Sequence, residues 1–244
     1  MLKQIYRSLV PAAIRRRVDY WRVPAATRRK IDRLLDVGEL HKEAQRDLFR
    51  NIGFFAKVNR PISGAYLEFG CFGAHTMRFA WNAFGHFGWD FYAFDSFEGL
   101  PEITAIDKQE IWQKGKLAMG EREFRKLVTS AGMPNDRLRT IKGFYSDSLT
   151  PRLEASILPR KAAVIYIDCD LYESAVNVLK WIRPFLQQGT ILAFDDWDAF
   201  LADPDKGERR AWREFLEANP TLRFEEFYYR AMVKALVFQG AHPQ

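Results

Sequence analysis

The sequence predicts an α/β protein whose mainly parallel sheet is covered by helices on both faces. Two observations lead to this prediction. Short apolar runs that end in glycine or aspartate alternate with longer segments whose apolar residues recur every three or four positions. The 244 residues, 48% of them hydrophobic, suffice to bury one sizeable core, so we expect one main domain with an appendage.

Seven of the apolar runs are predicted strands: GAYLEFG, WDFYAFD, RLRTIKG, AAVIYIDCD, GTILAFDD, LRFEEFYY and MVKALVFQ. The last two are separated by a tight link, so we expect them to pair antiparallel. Amphipathic periodicity predicts helices over residues 30–59, 74–84, 121–130, 171–186 and 211–218. The stretch LADPDKGERR lacks that periodicity and is predicted to be a polar loop.

A large share of the excess positive charge, +6 in total, lies near the N-terminus, in IRRRVDYWRVPAATRRK. We divide the chain into a basic arm with a helical extension, residues 1–59, and a main domain, residues 60–244. A basic arm with aromatic residues suits contact with an anionic membrane surface, and a solvated helix or tail is the alternative. Because this charge lies outside the strand-end motifs, nucleic acid is not an expected partner.

The remaining bulk features indicate a cytoplasmic protein. No apolar run approaches the roughly 20 residues that span a bilayer. The start, MLKQIYRSLVPAAIRRR, lacks the apolar core of a signal peptide. Cys71 and Cys169 have neither the spacing of a zinc or redox site nor the number for a disulfide framework. We expect a cytoplasmic address, with membrane contact through the arm as its peripheral variant, and leave a homo-oligomer open.

The first two predicted strands end in residues that suit a nucleoside cofactor. EFGCFGAHT follows the first strand, and Gly70 and Gly73 occupy its turn into a helix. Glycine there lets the backbone approach an anionic group, although the turn's own geometry also favours it. Asp95 ends the second strand and can accept both hydroxyl hydrogens of an adenosine ribose. Capping of the next turn is the alternative role for Asp95.

Carboxylates follow the fourth and fifth predicted strands. Asp168 and Asp170 follow one strand, Asp195 and Asp196 the other, and Asp198 lies just beyond. Because ligands bind outside the carboxyl ends of strands in open α/β sheets, we expect these acids at one functional rim. Hard oxygen donors suit Mg²⁺, Ca²⁺ or Mn²⁺ rather than zinc. Helix capping explains Asp170 and Asp198 but not four converging acids.

Five segments, taken in order, resemble the macrocin O-methyltransferase family: EFGCFGAHT, AFDSFEGLP, KGFYSDSLTP, IDCDLYES and GTILAFDDWD. The resemblance spans residues 65–198, more than half the chain. It implies the class I methyltransferase fold, a seven-stranded sheet whose last strand is antiparallel. It also implies S-adenosylmethionine, a divalent metal and methyl transfer to a hydroxyl of a sugar or glycan-bearing small molecule.

The resemblance assigns roles residue by residue. Glu68, Gly70 and Thr76, with Gly73 in the same loop, would line the methionine end of the cofactor. Asp95 would hold the ribose. The neighbourhood of the adenine would comprise Ser96, Gly143 and Phe144. The metal, usually magnesium, would be held by Asp168, Asp195 and Asp196, with Asp170 behind them or capping a helix.

The general base is left open among Asp168, Asp198 and His75, although a histidine in a helix turn more often packs or caps. The acceptor is expected at residues 103–119, which include Trp112, and at the segment that carries Arg209, Arg210 and Trp212. Surface positions on a lid are the alternative for these residues.

The sequence leaves two other functions open. The DCD of Asp168 to Asp170 is similar to the DxD of metal-dependent glycosyltransferases, which hold a nucleotide sugar through a metal. Glu68, Gly70 and the second acidic pair argue against that alternative. A non-catalytic protein that keeps the fold is the other, and the intact acids argue against it.

Overall fold

The computed structural model describes Pro24 and residues 37–60, 62–109 and 112–241. The chain divides into two compact units, residues 1–43 and residues 44–244. Apart from Pro24, the basic arm of residues 1–29 lies outside the described residues, so its membrane contact stays a prediction, as does the boundary at 59/60. Within the described part, none of the helices has both the length and the hydropathy needed to cross a membrane.

The core of the fold is a sheet of seven strands. They are β1 (Ala65–Phe69), β2 (Asp90–Asp95), β3 (Leu138–Lys142), β4 (Ala162–Ile167), β5 (Ile191–Phe194), β6 (Leu222–Arg230) and β7 (Val233–Ala241). Their order is β3-β2-β1-β4-β5-β7-β6. Strands β1 to β5 are parallel, and β7 lies antiparallel between β5 and β6. The predicted fold class is confirmed, and each predicted strand is present.

Seven α-helices lie among the described residues: α1 (Val37–Val58), α2 (His75–Phe84), α3 (Glu121–Ser130), α4 (Tyr145–Ser148), α5 (Pro151–Ser156), α6 (Tyr172–Ile182) and α7 (Gly207–Ala218). One buried cluster joins the sheet to the second half of α1 and to α2 and α3, and the other joins it to α6 and α7. Helix α7 begins four residues earlier than predicted. Its first turn is charged, so the apolar periodicity from which it was predicted starts only at Ala211.

Helix α1 contributes to the core from Ala44 onward. Phe49 is 1% exposed. Its ring stacks on that of Tyr166 with centroids 5.3 Å apart and meets those of Tyr66 at 6.1 Å and Phe84 at 5.7 Å. Aromatic pairs at such distances add to the stabilisation from burial alone. The second half of the helix is therefore packed on the sheet, beside the strands whose ends carry the acids.

Hydrogen bonds between neighbouring strands continue just past the carboxyl ends of β1 to β5. We call this edge of the sheet the carboxyl rim. The amide of Asp168 donates to the carbonyl of Phe69 at 2.8 Å, and the amide of Asp195 donates to that of Ile167 at 2.9 Å. Two similar bonds, both 2.9 Å, run from Gly70 N to Phe94 O and from Gly143 N to Asp95 O. The first residues after β1, β3, β4 and β5 are thus held side by side in the order of the strands.

We expect Phe49→Ala to lower the free energy of unfolding by about 3 to 5 kcal/mol, because it removes a buried ring that contacts four other aromatic rings. Urea unfolding measures the change. Phe54→Ala is the matched control, since Phe54 lies on the same helix but is 71% exposed, and its expected effect is within about 0.5 kcal/mol. Equal losses in the two variants would show that α1 does not pack as described.

Candidate active site at the carboxyl rim

The glycine turn after β1 brings the backbones of β1 and β4 together. Gly70 has a φ of +90°, and a Cβ atom built on it would lie 1.8 Å from the carbonyl oxygen of Asp168. Only glycine adopts this conformation at this approach without displacing the neighbour. Gly73 also has a positive φ, of +80°, in the turn that leads into α2. The loop predicted to hold a cofactor therefore lies directly beside the first predicted metal ligand.

Glu68 is a fully buried carboxyl group beneath this turn. The hydroxyl of Tyr66 donates to its Oε2 at 2.5 Å, and the hydroxyl of Thr76 donates to its Oε1 at 2.8 Å. Burial raises the pKa of Glu68 to about 8, although these two hydrogen bonds act in the opposite direction. The structure thus brings two predicted cofactor residues, Glu68 and Thr76, into direct contact. Their contact with a cofactor stays a prediction.

Asp95 connects the loops that follow β1 and β2. Its Oδ2 accepts a hydrogen bond from the amide of Cys71 at 2.7 Å, and its Oδ1 accepts one from the amide of Phe97 at 2.6 Å. Burial raises the pKa of Asp95. The hydrogen bond from Phe97 fits the capping of the next turn. The predicted contact with a ribose fits as well, since each carboxylate oxygen has a second lone pair for a ribose hydroxyl.

The three residues predicted near the adenine lie at the ends of β2 and β3. Ser96 Oγ donates to the carbonyl of Gly99 at 2.8 Å and accepts from the amide of Glu98, so it shapes the turn after β2. Gly143 directly follows β3 and bonds to Asp95 through its amide. Phe144 then precedes the short helix α4. Their places at neighbouring strand ends fit the prediction, which stays untested.

Three predicted metal ligands come together at the ends of β4 and β5. One oxygen atom from each of Asp168, Asp195 and Asp196 lies within 4.8 Å of the other two. Burial, followed by repulsion from Asp195 and Asp196, raises the pKa of Asp168 well above its usual range. An all-carboxylate set of this kind fits a hard divalent cation, whose charge would offset the repulsion.

Asp195 receives two side-chain donors on the same oxygen. The amide nitrogen of Gln45, on α1, donates to Oδ1 at 2.9 Å, and the hydroxyl of Tyr166, on β4, donates to Oδ1 as well. All three residues are buried, with Gln45 2% exposed and Asp195 4% exposed. The sequence analysis missed Gln45, although it stands one position from Ala44 and three from Leu48 on a helix whose apolar stripe faces the sheet.

Two more buried acids surround the three predicted ligands. Asp170 has a φ of +60° and is 9% exposed, and burial with repulsion from Asp196 raises its pKa. Glu208, in the first turn of α7, is 1% exposed and accepts a hydrogen bond from the amide of Asp196 at 3.2 Å. Its Oε1 has no hydrogen-bond partner within the described residues. Glu208 was missed because it stands in a charged run predicted to be a loop.

The other two candidate bases have different surroundings. Asp198 accepts hydrogen bonds on both oxygens, from Arg209 at 2.5 Å and from the hydroxyl of Tyr229 at 2.6 Å. His75 begins α2, and its ring meets that of Phe79 edge-on at 5.9 Å. A structural role accounts for the contacts of Asp198, and a packing role for those of His75. Their catalytic roles stay predictions.

The segment between β2 and α3 is attached to the rim by a residue that the sequence analysis missed. Asp107 is 2% exposed, and its Oδ2 accepts a hydrogen bond from the amide of Tyr172 at the start of α6, at 2.8 Å. Burial raises its pKa to about 6. From the same segment, the ring of Trp112 meets that of Phe200 at 6.4 Å. These contacts place the expected acceptor segment beside α6 and the loop before α7.

The residues expected to clamp an acceptor from α7 divide into two groups. Trp212 is 7% exposed and packs in the core against Phe194 and Phe224, so it supports the fold. Arg209 bonds to Asp198 and to the carbonyl of Trp197. Arg210 forms an ion pair with Glu214. The two arginines are therefore engaged within the protein.

The strand order, the antiparallel β7 and the turn between β1 and α2 together define a class I methyltransferase fold. The model of the macrocin-O-methyltransferase (TylF) family matches residues 54–221, and the chain belongs to this family. Family and fold thus agree with the resemblance drawn from the strand-end segments.

The chain is also similar to a curated methyltransferase that acts on a sugar-bearing molecule. It is the 8-demethyl-8-(2,3-dimethoxy-alpha-L-rhamnosyl)-tetracenomycin-C 4'-O-methyltransferase of Streptomyces olivaceus, 33% identical over 109 residues. The alignment covers 42% of this chain and 40% of that protein. The name of this relative describes an acceptor that carries a rhamnosyl group.

Solved structures match over most of the chain. The O-methyltransferase NovP is 21% identical with a TM-score of 0.67, over 81% of this chain and 80% of that one. The calicheamicin methyltransferase CalS11 is 22% identical with a TM-score of 0.65, over 89% and 88% of the two chains. At these identities the likeness establishes the fold.

We expect Glu68 to make the protein less stable as the pH rises. Its pKa of about 8 in the folded state exceeds the ordinary value of 4.5. The stability that it contributes is therefore fully present below about pH 4.5 and is lost as the pH rises through about 8. Between these limits, the free energy of unfolding of the native chain should fall by up to about 5 kcal/mol relative to Glu68→Gln.

Urea unfolding at a series of pH values measures this difference. Glu123→Gln, which changes an exposed glutamate on α3, is the matched control and should follow the native profile. Parallel profiles for the native chain and Glu68→Gln would contradict the raised pKa of Glu68.

Proposed function

We propose that the protein is an S-adenosylmethionine- and divalent-metal-dependent O-methyltransferase that acts on a hydroxyl of a sugar or glycan-bearing small molecule. The observation that carries the proposal is the carboxylate trio of Asp168, Asp195 and Asp196, whose oxygens lie within 4.8 Å of one another. The trio stands beside the glycine turn of a class I methyltransferase sheet, in a chain of the macrocin-O-methyltransferase family.

The proposed metal would be held by this trio. Mg²⁺ and similar hard cations prefer carboxylate oxygens, and the trio offers no nitrogen or sulfur donor. A bound cation would orient two neighbouring oxygens of the acceptor and lower the pKa of the hydroxyl that attacks. Burial and repulsion raise the pKa values of Asp170 and Glu208, and a bound cation would favour their ionised forms and so add negative charge around itself.

The proposed cofactor would lie over the ends of β1 and β2. S-adenosylmethionine would supply the methyl group for an in-line displacement, in which the acceptor oxygen bonds to the methyl carbon as the carbon–sulfur bond breaks. Gly70 and Gly73 allow the positive φ angles that this turn requires. Asp95 would accept the ribose hydroxyls, while Glu68 and Thr76 shape the floor below the turn. The task of these residues is to hold donor and acceptor at reacting distance, which is a large part of such catalysis.

The acceptor is proposed to be a sugar with neighbouring hydroxyl or ether oxygens. Two arguments support this class. A hard cation held by three carboxylates would keep coordination positions for two vicinal oxygens of an acceptor, and the curated relative acts on a rhamnosyl-bearing molecule. Residues 103–109 and 112–119, which belong to the segment that Asp107 attaches to α6, are the proposed contact for the rest of the acceptor. Family membership favours methyl transfer over the glycosyl transfer that DCD also suggests.

Calorimetric titration tests the proposal directly. The purified protein is titrated with S-adenosylmethionine and with a nucleoside diphosphate sugar, each with and without Mg²⁺. We expect S-adenosylmethionine to bind without the metal, and Mg²⁺ to bind on its own. Binding of the nucleotide sugar alone, and only with Mg²⁺, would instead assign Asp168 and Asp170 to a glycosyltransferase.

We expect substitutions at the two halves of the rim to have separate effects. Asp168→Asn removes a ligand charge and should weaken Mg²⁺ binding at least about tenfold while leaving the affinity for S-adenosylmethionine unchanged. Asp95→Asn should weaken S-adenosylmethionine binding by about tenfold, because it removes the charged acceptor of the ribose hydroxyls. The same Asp95→Asn variant should bind Mg²⁺ like the native chain.

The stability of the metal-free protein provides the control for misfolding. Asp168→Asn relieves repulsion among buried carboxylates, so it should raise the free energy of unfolding without metal. A variant that is stabilised yet binds Mg²⁺ as the native chain does would refute the metal site. If Asp168→Asn and Asp95→Asn each lost affinity for both Mg²⁺ and S-adenosylmethionine, the assignment of separate metal and cofactor sites would be wrong.

A further inference from the structure

The carboxylate of Asp195 is held by two residues that do not belong to the predicted ligand set. We propose that Gln45 and Tyr166 are positioning residues that fix the orientation of Asp195 for a divalent cation, so that helix α1 forms part of the metal site. This inference rests on the proposed function, because it gives these contacts a purpose only if the trio binds a cation.

The two donors meet at one atom. Gln45 Nε2 and the Tyr166 hydroxyl both donate to Oδ1 of Asp195, the first over 2.9 Å. They come from different elements, α1 and β4, and Asp195 itself directly follows β5. The carboxylate cannot turn about its Cβ–Cγ bond without breaking one of these bonds. Outer partners of this kind set the direction of a metal-binding carboxylate.

The placement of Gln45 indicates that its amide has a specific task. Its neighbours on the sheet-facing side of α1 are apolar, with Ala44, Leu48 and Phe49 all buried. The other amide atom, Oε1, is buried and has no hydrogen-bond partner in the part of the chain that the structure describes. An unpaired buried acceptor is unfavourable, and a leucine here would avoid it. The hydrogen bond to Asp195 accounts for a glutamine at this position.

Both donors are neutral. A lysine or arginine at the same distance would also orient Asp195, but its charge would compete with a cation for the carboxylate. An amide and a phenol hydroxyl hold the oxygen without supplying a positive charge. This choice of residue types suits a carboxylate that must be fixed and remain attractive to a metal ion.

The test is Mg²⁺ titration of the full chain and of Gln45→Leu, Tyr166→Phe and the double variant. We expect each single substitution to weaken Mg²⁺ binding by about 10- to 100-fold, as for other outer partners of metal ligands. S-adenosylmethionine affinity should not change. Because the two donors share Oδ1, the double variant should depart from the sum of the single effects. Tyr166→Phe removes one oxygen and keeps the ring that stacks on Phe49, so it tests the inference even if Gln45→Leu fails to fold.

Tyr228→Phe is the matched control for a loosened helix. The Tyr228 hydroxyl, on β6, also bonds to α1, at the carbonyl of Ala44 (2.9 Å) and at Oδ2 of Asp47 (3.2 Å). Its loss weakens the attachment of α1 without touching Asp195, and it should leave the Mg²⁺ affinity as in the native chain.

The outcomes separate this inference from the proposed function. If the native chain binds no Mg²⁺, the metal site and its positioning residues are both refuted. If the native chain binds Mg²⁺ and both single variants bind it equally well, only the positioning role is refuted. An equal loss in Tyr228→Phe would overturn it too, because the effect would then come from the attachment of the helix.

Discussion

The repulsion among buried carboxylates at the ends of β4 and β5 is the constraint on which the rest of the site depends. Parallel register alone brings Asp168 and Asp195 side by side, and the following residues add Asp170 and Asp196. Such a group is unfavourable without a cation, since burial and mutual repulsion both disfavour the charged form. Packing and hydrogen bonds from the surrounding residues must therefore offset this repulsion and keep the acids in place.

Two buried carboxyl groups on neighbouring parts of the sheet each accept a hydrogen bond from a tyrosine hydroxyl. On β1, Tyr66 donates to Glu68, and across β4 and β5, Tyr166 donates to Asp195. The ring of Phe49, from α1, lies against both tyrosine rings. One aromatic side chain thus supports the tyrosine on the proposed cofactor side and the tyrosine on the proposed metal side. The packing of α1 and the geometry of the rim are parts of one arrangement.

The sequence predicts those features that follow from the pattern of apolar and polar residues within one short segment. Apolar runs predicted the strands, and with them the positions of Asp95, Asp168, Asp195 and Asp196 at or just past the carboxyl ends. The residues that were missed, Gln45, Asp107 and Glu208, are polar groups buried by tertiary contacts. Glu208 stands in a run of charges, where burial leaves no local signal. Gln45 did carry one, because a polar residue on the apolar stripe of a helix requires a partner in the core.

The segment before the first strand contributes to the core and to the proposed metal site through helix α1. The sequence predicted it as an extension of the methyltransferase domain, and that division stays a prediction about folding units. In the structure, the half of the helix that begins at Ala44 supplies buried core residues and a hydrogen bond to Asp195. A helix can move away from a sheet only by breaking such contacts, and here one of them ends on a proposed metal ligand. Any ion that requires Asp195 in its present orientation would therefore stabilise the docking of α1, by the reciprocity that couples a ligand to the state it prefers.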